Sequence, residues 1–184
     1  MSALPLARRF GPLLGTALLG AFNDNLLRAA IVVHAVTVLS TEQATIVGLA
    51  AGGLLTVPFV LVSGLAGTLA DRLDKALAIR LTKALEVVIA LAAAAAFWSG
   101  SLAAMLGVVF AMGVHSALFG PQKQGWLPER LREDELVAAN AWMEAGTLLA
   151  ILAGTLLGGL AVAVWGLASV AALSVAAAAA GLAM

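Results

Sequence analysis

Asp24 stands between Asn23 and Asn25, with Arg28 one helical turn later, inside an apolar stretch from about residue 10 to residue 39. That stretch exceeds the roughly 20 apolar residues that cross a bilayer. A carboxylate at such depth is costly unless it is paired or meets a wet cavity, so an ionisable group there is a functional candidate by default. Asp24 and Arg28, at i and i+4, share a helix face in the favourable order, acid before base. The competing account is a self-neutralised ion pair that only holds helices together, but the two flanking amides add hydrogen-bonding capacity that packing does not require. Lys83 and Glu86 form an i,i+3 pair in a later apolar stretch; there Glu86 either simply satisfies Lys83 near the interface or has a functional role. Asn140, Glu144 and Thr147 fall on one stripe of another. Glu144 has no local basic partner, so it must be protonated, pair across helices or touch water. Arg28 and Lys83 are the basic residues deep enough to reach it, and a cross-helix network is expected.

The elements that must position these groups follow from composition. Apolar residues make up 62% of the 184 and charged residues 11%, with a mean hydropathy of +1.06. A soluble domain carries about a quarter charged residues, so a polytopic, all-α membrane protein is expected. Six spans fit, at about 10–39, 44–70, 76–98, 102–119, 136–161 and 165–184, making one six-helix bundle over residues 1–184. Pro58 predicts a kink in the second. Arg80 and Lys83 would snorkel to the surface from the third. Apart from Arg28, every Lys and Arg falls at the N-terminus, between Asp71 and Lys83, or between Lys123 and Arg132. The intervening breaks carry no basic residue. The positive-inside rule therefore makes the basic segments, beginning with the N-terminus, cytoplasmic. Arg8 and Arg9 before an apolar run resemble a signal peptide, but the run continues past Asp24 and Arg28 without a small-residue cleavage site. The last span ends without a polar tail or basic anchor, which suggests a piece of a longer chain.

Other chemistry has little to stand on. There are no cysteines, hence no disulfide framework or thiolate metal site. His34 and His115 have no carboxylate at metal-binding spacing, and both read as satisfied helix residues near opposite membrane surfaces. No glycine-rich phosphate loop, HExxH or GxSxG occurs; neither an enzyme nor a cofactor is implied, and no nucleic-acid partner is expected. Gly11/Gly15, Gly48/Gly52 and Gly154/Gly158 are small-xxx-small pairs suited to close helix packing. The stripe Thr45, Gly48, Gly52, Thr56, Ser63, Gly67 on the second span is expected to be a helix–helix contact for the same reason. The acidic-basic segment 129–135 (ERLREDE) is expected to be a surface turn, with Glu133 to Glu135 complementing the next helix dipole.

Segment 67–75 (GTLADRLDK) reads on its own as a short charged turn, in which Asp71 caps a helix N-terminus and Arg72 and Lys75 meet anionic headgroups. It also resembles the loop signature G-x-x-x-D-R-x-G-R/K of the major facilitator superfamily, departing at Asp74 where the pattern has glycine. Segments 20–25 (GAFNDN), 119–125 (FGPQKQG) and 139–145 (ANAWMEA) narrow the resemblance to the bacterial lysophospholipid transporter family, including members fused to a phospholipid acyltransferase. The likeness spans essentially the whole chain, but only the N-terminal half of such a transporter. It implies a bundle of two three-helix repeats in a bacterial inner membrane, flipping lysophosphatidylethanolamine and related lysolipids from the outer to the inner leaflet. It implies that Asp24 lies in the headgroup pathway and that Asp71 and Arg72 belong to a cytoplasmic gate; the headgroup is then expected to be held by Asp24, Asn25 and Arg28 with Asn140 and Glu144, whose family-like segment has no derivable role, and Lys75 to join the gate. Lys123 falls in a family-like segment without a derivable role. The implied partners are the lysophospholipid, membrane lipids, a C-terminal six-helix half or a second copy, and a phospholipid acyltransferase. The acyltransferase's own H-x-x-x-x-D motif does not occur after either histidine. Two other functions stay open: a proton-coupled facilitator for a small polar solute with Asp24 or Glu144 as carrier, and a non-transporting membrane module that docks an acyltransferase.

Overall fold

Serine, aspartate and glycine set most of the helix boundaries. Ser40 and Gln43 form a reciprocal capping box that starts the second helix. Asp74, not the expected Asp71, which lies within the last turn of the second helix, accepts a hydrogen bond from the Leu77 N–H at 2.9 Å and starts the third. Gly100, at φ 66°, takes the left-handed conformation that ends it, and Ser101 caps the fourth. Gly166, at φ 77°, is the single residue between the fifth and sixth. The molecule, a computed structural model, is described for residues 3–184, excluding the side chains of residues 3–7, 70 and 71. Its elements are α1 (Ala3–Val38), α2 (Thr41–Arg72), α3 (Lys75–Ser99), α4 (Leu102–Arg130), α5 (Glu133–Trp165) and α6 (Leu167–Ala183). It is all-helical among the described residues.

Four stretches are long and apolar enough to cross a membrane: Arg8–Val38, Thr41–Leu69, Leu102–Arg130 and Glu133–Trp165. At 1.5 Å per residue the 17 residues of α6 reach about 25 Å, short of a roughly 30 Å hydrocarbon core. α3 is not among the four and carries Arg80, Lys83 and Glu86 in its first half.

The helices overrun the expected spans. α4 continues through Pro121 and Pro128 to Arg130, so the basic segment expected as a loop is mostly helix and only Leu131 and Arg132 connect it to α5. Apolarity marks the part of a helix that meets lipid, whereas Gln, Lys, Leu, Glu and Arg all extend helices readily beyond it. Pro58 likewise lies within an uninterrupted α2.

α1 packs chiefly on α5 and α6, α4 chiefly on α2 and α3, and α3 on α6. Within their most apolar windows α1 and α4 are 50% and 44% buried, against 11% and 17% for α2 and α5. α1 and α4 are thus central and α2 and α5 peripheral. Glycine sets the closest crossings. A methyl group at Gly154 would collide with the carbonyl oxygen of Phe22, and one at Gly158 with that of Leu26. On α4, a Cβ at Gly113 would lie 2.6 Å from the Leu55 carbonyl oxygen and 2.8 Å from Pro58 Cγ. The other expected pairs do not work this way: Gly11 and Gly52 have open space where a Cβ would stand. The α2 stripe is a helix contact only at Gly48, where a Cβ would lie 3.9 Å from Val32 of α1. Thr45, Thr56 and Ser63 are exposed and their hydroxyls donate to carbonyls of their own helix. That local bonding satisfies them without any partner helix.

Two apolar clusters fill the interior. One joins Leu26, Leu27 and Ile31 to Ile89, Phe97, Met105 and Met112; the other joins Phe10, Leu13 and Ala17 to Phe119, Leu127, Ala139 and Met143. Between them along α1, α3 and α4 lies a polar layer.

Candidate functional site

Successive helix residues point about 100° apart, and Asn23, Asp24 and Asn25 use that rotation to face different surroundings. Asn23, fully buried, turns inward to α3 and donates to Glu86 Oε1 at 3.2 Å. Lys83 Nζ meets Glu86 Oε2 at 2.6 Å, and His115 Nε2 of α4 stands 3.5 Å from the same oxygen. Phe119 closes the group: Lys83 Nζ is 5.0 Å from its ring centroid, and the His115 ring stacks on it at 6.2 Å. Lys83, Glu86, Asn23 and His115 are each at most 1% exposed. Glu86 therefore carries a cation and an amide donor, the completeness that a buried charge requires. Gly20 makes room for it, since a Cβ there would lie 2.9 Å from Lys83 Nζ.

Asp24 faces the other way, into a cavity of about 370 Å³ among α1, α4, α5 and Phe59 of α2. Asn25, His115, Ser116, Lys123 and Thr147 also line it. The Ser116 hydroxyl donates to Asp24 Oδ2. Asp24 Oδ1 and Thr147 Oγ1 are buried without a hydrogen-bond partner. An unpaired buried carboxylate oxygen on a cavity wall is an acceptor for a ligand cation or N–H donor.

The expected Asp24–Arg28 pair does not form. Arg28 Nη2 donates instead to Asn25 Oδ1 at 3.1 Å, while Asn25 Nδ2 donates to the Ala21 carbonyl at 2.8 Å. Asp24 reaches across to α4, and the neighbouring amide takes the guanidinium. Among the described residues Asp24 has no ion pair. The expected stripe on α5 also divides. Its buried edge is Ala139, Met143, Gly154 and Gly158, which packs toward α1. Asn140 and Glu144, one residue further round from Ala139 and Met143, are exposed, while Thr147 reaches the cavity. Lys83 is committed to Glu86, and Glu144 makes no ion pair among the described residues, so the cross-helix network with Arg28 or Lys83 is absent.

At the basic end of the helices, the side chain of Asp71 lies outside the described residues. Arg72 is exposed in the last turn of α2. Lys75 forms an ion pair with Glu129 of α4 and lies across Gly125, where a Cβ would come 3.2 Å from Lys75 Cε. Arg9 pairs with Glu135 of α5 at 2.9 Å.

His115 is the plainest correction: it is buried in the polar layer between the two apolar clusters, and neither ring nitrogen has a hydrogen-bond partner, so it is not the satisfied helix residue expected. Ser116 gave no signal in the sequence. Its place beside Asp24 depends on how α4 is rotated, which a helix with apolar residues on every side barely encodes. Lys123 was visible as a basic residue, but only the continuation of α4 through Pro121 carries it into the cavity. Among the described residues no three His, Asp or Glu side chains gather where they could hold a metal. Neither a family model nor a curated protein matches the chain.

Proposed function

We propose that this chain is the N-terminal bundle of a lysophospholipid flippase of the major facilitator type, a transporter and not an enzyme, in a bacterial inner membrane. The observation that carries the proposal is the partly satisfied Asp24 in a cavity that also holds Lys123. Ser116, which bonds Asp24, and Lys123 stand seven residues apart on α4, about 10 Å along the helix. A zwitterionic headgroup has a cation and a phosphate to place. Its ammonium would meet Asp24 and its phosphate Lys123, with Asn25 and Thr147 offering neutral hydrogen bonds. The acyl chain would lie along exposed apolar faces of α2 and α5, such as Leu61, Leu65, Leu152 and Leu156. Asn140 and Glu144, on the outer side of α5, would serve that route and not the headgroup pocket.

All six helices are proposed as spans, built as two three-helix repeats. In support, the main packing pairs interchange when α1, α2 and α3 are swapped for α4, α5 and α6: α1 with α5 becomes α4 with α2, and α3 with α4 becomes α6 with α1. A cytoplasmic N-terminus is supported by ion pairs gathered at the basic ends, Arg9–Glu135 and Lys75–Glu129. Alternating access needs a second wall, supplied by a C-terminal half or a second copy, against which Asp71, Arg72 and Lys75 would close. An acyltransferase would consume the delivered lysolipid.

The test is translocation of labelled lysophosphatidylethanolamine in membrane vesicles containing the native protein. Asp24→Asn and Lys123→Gln should each lower the rate about tenfold or more, the loss of one charge-assisted contact. Undiminished lysolipid movement in both variants, or pH-gradient-driven uptake of a water-soluble compound instead, would overturn the assignment.

A further inference from the structure

His115 lines the Asp24 cavity, yet the headgroup contacts assigned above make no use of it. It is 1% exposed, and both ring nitrogens are buried without a hydrogen-bond partner. Leaving such a group unpaired is costly, so the site calls for a partner that the protein's own side chains do not supply. Phe119 holds the ring in place: the two stack at 6.2 Å with 7° between their planes. His115 Nε2 stands 3.5 Å from Glu86 Oε2, close enough for the carboxylate to favour the imidazole proton on that nitrogen. In the neutral imidazole Nδ1 is then a lone-pair acceptor. Lys83 already balances Glu86, whereas Asp24 has no ion pair among the described residues.

The remaining unpartnered group of the cavity, Thr147 Oγ1, belongs to another level. α5 runs alongside α1 in the same direction, with Gly146 against Leu18, Gly154 against Phe22 and Gly158 against Leu26. Thr147 is therefore level with Leu18 or Leu19, about 8 Å along α1 from Asp24. That is the Lys123 side, since the start of α1 meets the end of α4 where Arg9 bonds the Arg130 carbonyl.

We infer that His115 is a headgroup-binding residue whose Nδ1 accepts an N–H of the ammonium held by Asp24, while Thr147 donates to the phosphate beside Lys123. The inference rests on the lysolipid reading of this cavity. A primary ammonium carries three N–H donors, enough for Asp24 Oδ1 and His115 Nδ1 together. An N,N-dimethylammonium keeps the charge but has one N–H, which the charged Asp24 takes, leaving His115 nothing to accept.

The test is equilibrium binding to the native protein in detergent of labelled lysophosphatidylethanolamine and its N,N-dimethyl analogue. His115→Phe keeps the ring and its stacking on Phe119 and removes the acceptor. It should weaken lysophosphatidylethanolamine about tenfold, the loss of one hydrogen bond to a charged donor, and leave the dimethyl lipid within about twofold. Thr147→Val, which removes only the hydroxyl, should weaken both lipids by the same factor. Equal weakening of the two lipids by His115→Phe, or none of either, would overturn the role of His115. Unequal weakening by Thr147→Val would overturn that of Thr147. Binding is read apart from movement, so a protein that shows the expected pattern and translocates neither lipid overturns the flippase assignment and leaves the headgroup contacts standing.

Discussion

Glu86 and Asp24 are both carboxylates within apolar helices, and their surroundings meet on the same turn of α1. Asn23 turns to Glu86 while its neighbour Asp24 turns to the open cavity. Glu86 has Lys83 at 2.6 Å and the Asn23 amide at 3.2 Å, while His115 Nε2 stands 3.5 Å away without a hydrogen bond. Asp24 has one hydroxyl and one unpartnered oxygen. The difference teaches that, in a bundle of apolar helices, depth alone does not tell a satisfied carboxylate from one left open. What separates the two is whether the protein has already supplied the partners. Glu86 belongs to the architecture, and Asp24 is left with bonding capacity to spare.

The comparison breaks most sharply at Glu86. Glu86→Gln leaves Lys83 buried without its counter-ion and should cost about 3–5 kcal/mol of stability, read as an earlier unfolding transition in detergent. Replacing Lys83 and Glu86 together by Met should recover most of that loss, because an apolar pair leaves no uncompensated charge. A Glu86→Gln protein as stable as its parent would mean that Glu86 is no more structural than Asp24. Asp24→Asn should do the reverse, cutting lysolipid translocation about tenfold while the unfolding transition stays in place or moves up. If it unfolds the protein, the oxygen without a partner is structural after all. Lys75→Ala should cost about 0.2–1 kcal/mol, as exposed pairs do, and raised salt should shrink the difference. Glu144→Gln should move stability by at most about 0.5 kcal/mol, since that side chain is exposed and unpaired among the described residues. A larger change would reveal a partner on α5's outer face and would sharpen the contrast with Glu86.

Much of the scaffold was legible in the sequence. Ser40 and Ser101 lie in the breaks between the expected spans, because capping is a local demand readable from a few adjacent residues; at the charged turn the cap is Asp74 and not the expected Asp71, since two aspartates three residues apart offer the same side chain. The Lys83–Glu86 pairing was legible for the same reason, since both partners lie on one helix. Gly154 and Gly158 were recognisable as a packing pair. Which glycines meet another backbone was not, because Gly11/Gly15 and Gly48/Gly52 have the same spacing with different surroundings. Asp24 was placed correctly as an unusual group and wrongly with Arg28, because spacing fixes a shared face but not which neighbour wins. Ser116 and His115 needed the rotation of α4 against α1 and α3. With apolar residues on every side, helices of this kind give little rotational signal.

The crossing of Gly154 over Phe22 and of Gly158 over Leu26 brackets the three polar residues of α1. Both contacts are backbone against backbone, with no flexible side chain between them to yield. Mechanically they act as a pair of dowels: α1 from Phe22 to Leu26 and α5 from Gly154 to Gly158 must travel as one rigid strut. Any deformation of the bundle has to be taken up elsewhere, at the thin seams between α2 and α3 and between α4 and α5. Asp24 would then keep its place relative to Thr147 throughout, and the lining contributed by α4, with Ser116 and Lys123, would be the part that moves past it.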